Sequence, residues 1–142
     1  MNLYAPDSKC FALVALPEII GIISRYSSLR SRSHLAAREA AFVNGLECFS
    51  ATYELPENFL DLIISDNAPE HVENPLRELR NLHRALKPGS TACMVVPLDS
   101  KSFDYKANNI DYHLFLWSPM NFGSILDCAR FSVVSSRPFV HK

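Results

Sequence analysis

Hydrophobic positions fall into runs separated by polar connections, and their periods predict the elements. Leu60–Ser65 (LDLIIS) is a near-continuous apolar run, the pattern of a strand covered on both faces of a parallel sheet. Leu76, Leu79, Leu82, His83 and Leu86 recur at i, i+3, i+6, i+7 and i+10, one stripe of a helix, with Arg77, Glu78, Arg80, Asn81 and Arg84 on the other side. Asn74 supplies an N-cap, and Pro75 a first helical residue whose missing N–H would have been unpaired anyway. Lys87 complements the negative end of the helix dipole, and Pro88-Gly89 stops the helix. Thr91–Val96 (TACMVV) is a second buried strand. Strand, helix and strand between Phe59 and Pro97 predict a βαβ unit with a right-handed crossover.

Upstream, Phe11–Leu16 and Ile19–Ile23 read as two buried strands punctuated by Pro17-Glu18. The whole run Cys10–Ile23 is too short and too interrupted to span a bilayer. It also lacks the basic flank and small-x-small site of a signal peptide. Arg25–Ser33 is a polar connection, read as a solvated loop despite its three arginines. His34–Asn44 is rich in helix formers, with Ser33 as N-cap and Asn44-Gly45 as a left-handed stop. Leu46–Ala51 then reads as a short strand. Downstream, Pro97–Trp117 is an aromatic-rich loop, long enough to be either functional or disordered. Ser118 and Pro119 open a helix over Met120–Ala129, and Phe131–Ser135 closes the sheet beside Pro138–Val140 or another neighbour.

Composition narrows the classes. A chain of 142 residues with 48% hydrophobic and 20% charged residues is one folded domain, residues 1–142, with a core of its own. A net charge of −1 offers no basic surplus for a phosphate backbone or an anionic membrane, so neither nucleic acid nor a membrane is an expected partner. The four glycines, Gly21, Gly45, Gly89 and Gly123, are too far apart for G-x-G-x-x-G, a P-loop or G-x-S-x-G. The four cysteines form no C-x-x-C pair and sit in apolar runs, where buried free thiols in a reducing cytoplasmic protein are expected. His34, His83 and His141 show no ligand spacing, and no metal is predicted.

Phe59–Ser90 resembles the Rossmann-like, class I S-adenosylmethionine-dependent methyltransferases. The resemblance rests on Asp61–Ser65 (DLIIS), Glu70-His71, Asn74-Pro75-Leu76 and Leu86-Lys87-Pro88-Gly89, with Ser90 where a second glycine is usual. Asp111–Pro119 (DYHLFLWSP) and Ala129-Arg130-Phe131 continue it, with Arg130 where glycine is usual. The match implies a three-layer α/β fold with a mostly parallel sheet, incomplete at the N-terminus: residues 1–45 are degenerate or replaced, and 46–142 are family-like. It implies S-adenosylmethionine as cofactor and methyl transfer to a small-molecule acceptor.

The resemblance places cofactor-binding residues at Ser65, Asp66 and Asn67, beyond the carboxyl end of a parallel strand. Glu70 and His71 follow within a turn. Of the two candidate catalytic residues, His71 is a candidate general base, since imidazoles change charge near neutrality, and His113 in the aromatic loop is a candidate contact to the acceptor. The simpler readings are a polar turn at the strand end and two structural histidines. Three family anchors are missing: the glycine-rich loop, the ribose-binding acid (Ile23 occupies its position) and an acid near the adenine (Ala51 or Thr52). Weak or lost cofactor binding follows, and the competing reading is a degenerate domain acting as a binding module or remnant, without catalysis. An incompletely covered sheet also predicts self-association through Phe11–Ile23.

Overall fold

The computed structural model describes residues 10–14, 22–23, 49, 51–98 and 113–138. The helix expected over His34–Asn44 lies outside them, as do residues 99–112 of the aromatic loop. Four strands form one sheet: β1 (Cys10–Val14), β2 (Ile22–Ile23), β3 (Leu60–Asp66) and β4 (Leu86–Val95), in the order β2-β1-β3-β4. β1, β3 and β4 run parallel, and β2 runs antiparallel to β1. A parallel neighbour needs a crossover of a dozen or more residues. Residues 15–21 are too few for that, so β1 and β2 can pair only as a hairpin.

The βαβ unit forms as its pattern predicts. Helix α1 (Pro75–Ala85) connects β3 to β4, and the Asn74 side chain accepts a hydrogen bond of 3.1 Å from the Arg77 backbone N–H. Leu79 and Leu82 are buried against Leu60, Ile63, Ala85 and Leu86, and Leu76 packs at the edge of that cluster. Leu86 belongs to the strand rather than to the last helical turn. Asn58 and Phe59 N–H groups bond to Arg84 and Ala85 carbonyls at 3.1 and 2.8 Å, which draws the end of α1 straight into the ladder. Leu86 then pairs with Leu60 and Thr91 with Leu62, so the segment between bulges out. Gly89 turns there at φ +81°, a region open to glycine at little cost, and Lys87 Nζ donates to Asp61 Oδ1 at 2.7 Å.

Coverage of the sheet is one-sided among the described residues, contrary to the expectation from the continuous apolar run. Ile63 and Ser65 are buried on the helix side, whereas Ile64 is 45% exposed, with Cys93 and Val95 exposed beside it. The apolar composition of β3 and β4 concealed that difference between faces. Cys93 and Cys128 are therefore exposed free thiols, not the buried ones expected. Cys10 and Cys48 lie outside what is described of the side chains.

Helix α2 (Pro119–Cys128) starts at the expected cap, with Ser118 Oγ accepting from the Asn121 N–H at 3.1 Å. The closing strand does not form. Residues 131–138 are irregular, with Val134 97% exposed; Phe131 packs back edge-on to His83 at 5.2 Å, and Ser136 Oγ donates to the Pro119 carbonyl at 2.6 Å. An apolar alternation makes a strand only where a ladder partner accepts it, and no strand pairs with this segment among the described residues. Leu46–Ala51 departs similarly: Phe49 and Ala51 are not in a strand, and Thr52–Glu54 is a single 3-10 turn. No helix of the described residues is long and apolar enough to cross a membrane.

Candidate functional site

The carboxyl end of β3 carries the groups singled out from the sequence. Ser65 is buried there, and its hydroxyl has no hydrogen-bond partner among the described residues. Asp66 is the exposed last residue of the strand. Asn67 follows at φ 48°, a left-handed conformation that asparagine tolerates. Its N–H bonds to the Val95 carbonyl at 3.0 Å and its amide to Asp66 Oδ1 at 3.2 Å. That turn sends the chain across the end of β4 and into a 3-10 turn at Pro69–His71.

The same turn assembles a second group. The Glu70 carbonyl accepts from the Leu114 and Phe115 N–H groups at 2.8 and 3.2 Å, which ties the aromatic loop to the turn. His113 is thereby set against His71, ring centroids 5.0 Å apart and planes at 68°. Glu70 is fully buried, and neither carboxylate oxygen has a hydrogen-bond partner among the described residues. His71 lies beside it, with Nε2 3.7 Å from Oε1. Burial raises the Glu70 carboxyl above its ordinary value of 4.5. Its own backbone N–H and the His71 charge oppose the rise, and the Asp66 charge adds to it.

The loop packs through its aromatic rings. Trp117 is buried, stacked on Phe115 at 5.5 Å and edge-on to Phe122 at 5.4 Å, while its backbone bridges to Leu98. Phe103, Tyr105 and Tyr112 lie outside the described residues. Thus Ser65, Asp66 and Asn67 form one turn, and His71 meets His113. In the sequence Glu70 stands out only as the neighbour of His71. Its signal was an acid beside an imidazole in an otherwise apolar turn.

A family profile described as a methyltransferase domain matches residues 19–94, more than half of the chain. The chain belongs to this class I S-adenosylmethionine-dependent methyltransferase family. No curated protein and no solved structure gives a significant match. In this methyltransferase-family chain the matched span starts at Ile19, upstream of Leu46 where the motif resemblance begins, and takes in β2, β3, α1 and nearly all of β4.

The positions that the resemblance assigns to the ribose and adenine lie apart from the turn at the end of β3. Ile23, which the resemblance sets at the position of the ribose-binding acid, is paired with Phe11, whereas Val14 meets Asp66 at the other level of the sheet. Three residues of strand separate the two levels, about 10 Å. Thr52, one of the two residues (with Ala51) that the resemblance sets near the adenine, is fully buried: its hydroxyl contacts the Glu78 carboxylate and accepts from the Asn81 amide at 2.9 Å. It anchors the 3-10 turn to α1. The turn at the end of β3 holds a buried Ser65 hydroxyl without a partner among the described residues, beside the Asp66 acid and the Asn67 amide, groups whose chemistry fits a polar ligand.

Proposed function

We propose that this domain transfers a methyl group to a small-molecule acceptor beyond the end of β3, with low affinity for S-adenosylmethionine, in the cytosol. The observation that carries the reading is the convergence of Ser65, Asp66 and Asn67 with the His71–His113 pair at one end of the parallel sheet. The cofactor supplies an electrophilic methyl on a sulfonium. Transfer breaks that carbon–sulfur bond and forms a bond to the acceptor's nucleophilic atom, so the protein's part is positioning and, for an acceptor carrying a proton, its removal.

His71 or His113 in its neutral form takes that proton at a ring nitrogen. Both rings are half-buried and so open to an acceptor. The buried Glu70 carboxylate beside His71 stabilises the imidazolium that results. Asp66 and Asn67, held by their own turn, are the groups placed to bond the amino-acid part of the cofactor.

A second reading, a methyltransferase-like domain without turnover, draws on the register of β2, which carries the ribose-side position to the far level of the sheet. Methyl-labelled S-adenosylmethionine at millimolar concentration, offered with a panel of small phenols, amines and carboxylic acids, separates the two. The first reading predicts label in at least one acceptor, with the rate falling about 10²- to 10⁴-fold when the histidine serving as base is replaced, His71→Ala or His113→Ala. No transfer to any member of the panel by the folded protein favours the second.

A further inference from the structure

We propose that Glu70, His71 and His113 form a binding site for one divalent transition-metal ion of the zinc type. One donor atom from each lies within 4.8 Å of the other two. The set is two imidazoles and a carboxylate, which suits zinc, cobalt or nickel, while calcium and magnesium prefer all-oxygen surroundings.

The independent observation is the state of Glu70. A carboxylate with no exposed surface and no hydrogen-bond partner among the described residues is costly to bury, because its charge has lost water without a full replacement. Asp66 adds a further negative field at the same point. A cation held between Glu70 and the two imidazoles supplies the missing charge and a ligand bond together.

The geometry is close to what such an ion needs. Metal–nitrogen and metal–oxygen bonds of about 2.0–2.2 Å put tetrahedral donors about 3.3 Å apart. Glu70 Oε1 and His71 Nε2 are 3.7 Å apart, and the third donor, from His113, lies within 4.8 Å of the other two. The backbone already fixes the two segments through the Leu114 and Phe115 bonds to the Glu70 carbonyl. Three protein donors leave a coordination position for water or a ligand, as in open zinc sites. No linear spacing betrays the site, since its ligands come from one adjacent pair and a residue in a distant loop.

The inference does not rest on methyl transfer, and its readout is metal binding. An ion here would occupy the lone pairs that otherwise take the acceptor's proton, so metal and base catalysis exclude each other. The test titrates the full chain, stripped with chelator, with cobalt(II) followed by visible absorption, and with zinc(II) by calorimetry. One equivalent should bind, with the intense ligand-field bands of a low-coordinate cobalt ion.

His71→Ala, His113→Ala and Glu70→Gln should each weaken binding by more than the about 10- to 100-fold typical of losing an outer-sphere partner. His83→Ala, at a histidine packed on Phe131, should leave it unchanged. Circular dichroism checks that each variant folds. Should one fail to fold, the wild-type chain still decides, because zinc must raise its melting temperature and shift two imidazole ¹⁵N signals that persist in His83→Ala. Absence of a one-equivalent site, or binding that the three variants leave intact, overturns the proposal.

Discussion

Arg130 shows how a single residue can sit against its backbone. It stands at φ 78° just past α2, where the chain turns left-handed and its N–H bonds to the Asp127 carbonyl at 2.8 Å. The left-handed region costs a residue with a Cβ about 1–2 kcal/mol, and glycine escapes that cost while giving back part of the gain as unfolded-state freedom. Arg130→Gly should therefore stabilise the protein by about 1 kcal/mol in denaturant unfolding, and a loss of stability would show that the guanidinium makes a compensating contact. Cys93 and Cys128 give a second residue-scale test. Both should react with a thiol reagent in the native protein as fast as a small free thiol of the same acidity, whereas protection of Cys93 would mean that its face of the sheet is covered. The resemblance marked Arg130 as unusual from sequence alone. The thiols were misjudged because an apolar neighbourhood along the chain does not say which face of a strand each residue takes.

At the scale of elements, the β3-α1-β4 unit was legible because every local signal agreed: cap, apolar stripe, stop and flanking apolar runs. Its central claim is the stripe. Leu82 is 1% exposed within the cluster between α1 and the sheet. Leu82→Ala should cost about 2–5 kcal/mol, as core truncations do, and a loss below about 1 kcal/mol would place that side chain outside the core. Elements that depend on a distant partner were not legible. Phe131–Ser135 has a strand's composition and no ladder to join among the described residues. The direction of β2 depended on the length of residues 15–21 rather than on their pattern. Likewise, nothing near His113 announces Glu70, because the contact is made by two backbone bonds between segments far apart in sequence.

The whole molecule is a methyltransferase-family domain whose parallel sheet carries Ser65, Asp66, Asn67 and the His71–His113 pair at one end. The sheet ends on the two-residue strand β2 at one edge, and Ile64 and Val95 are exposed on one face. Strand edges and apolar patches of this kind promote association. Light scattering should show a mass that rises with concentration, with exchange protection of Phe11–Ile23 increasing alongside. A monodisperse monomer with slow exchange throughout that segment would contradict it.

The most direct test of the account is calorimetric titration of the full chain with S-adenosylmethionine. Each lost hydrogen bond to a buried polar ligand group costs about 1–3 kcal/mol, so two missing anchors lower affinity by about 30- to 10⁴-fold. The account predicts heats too weak to saturate in the micromolar range, and the same result for Ile23→Asp, since that position lies three residues of strand from the site. A low-micromolar dissociation constant for the wild-type chain would contradict it and would mean that other segments supply the anchors.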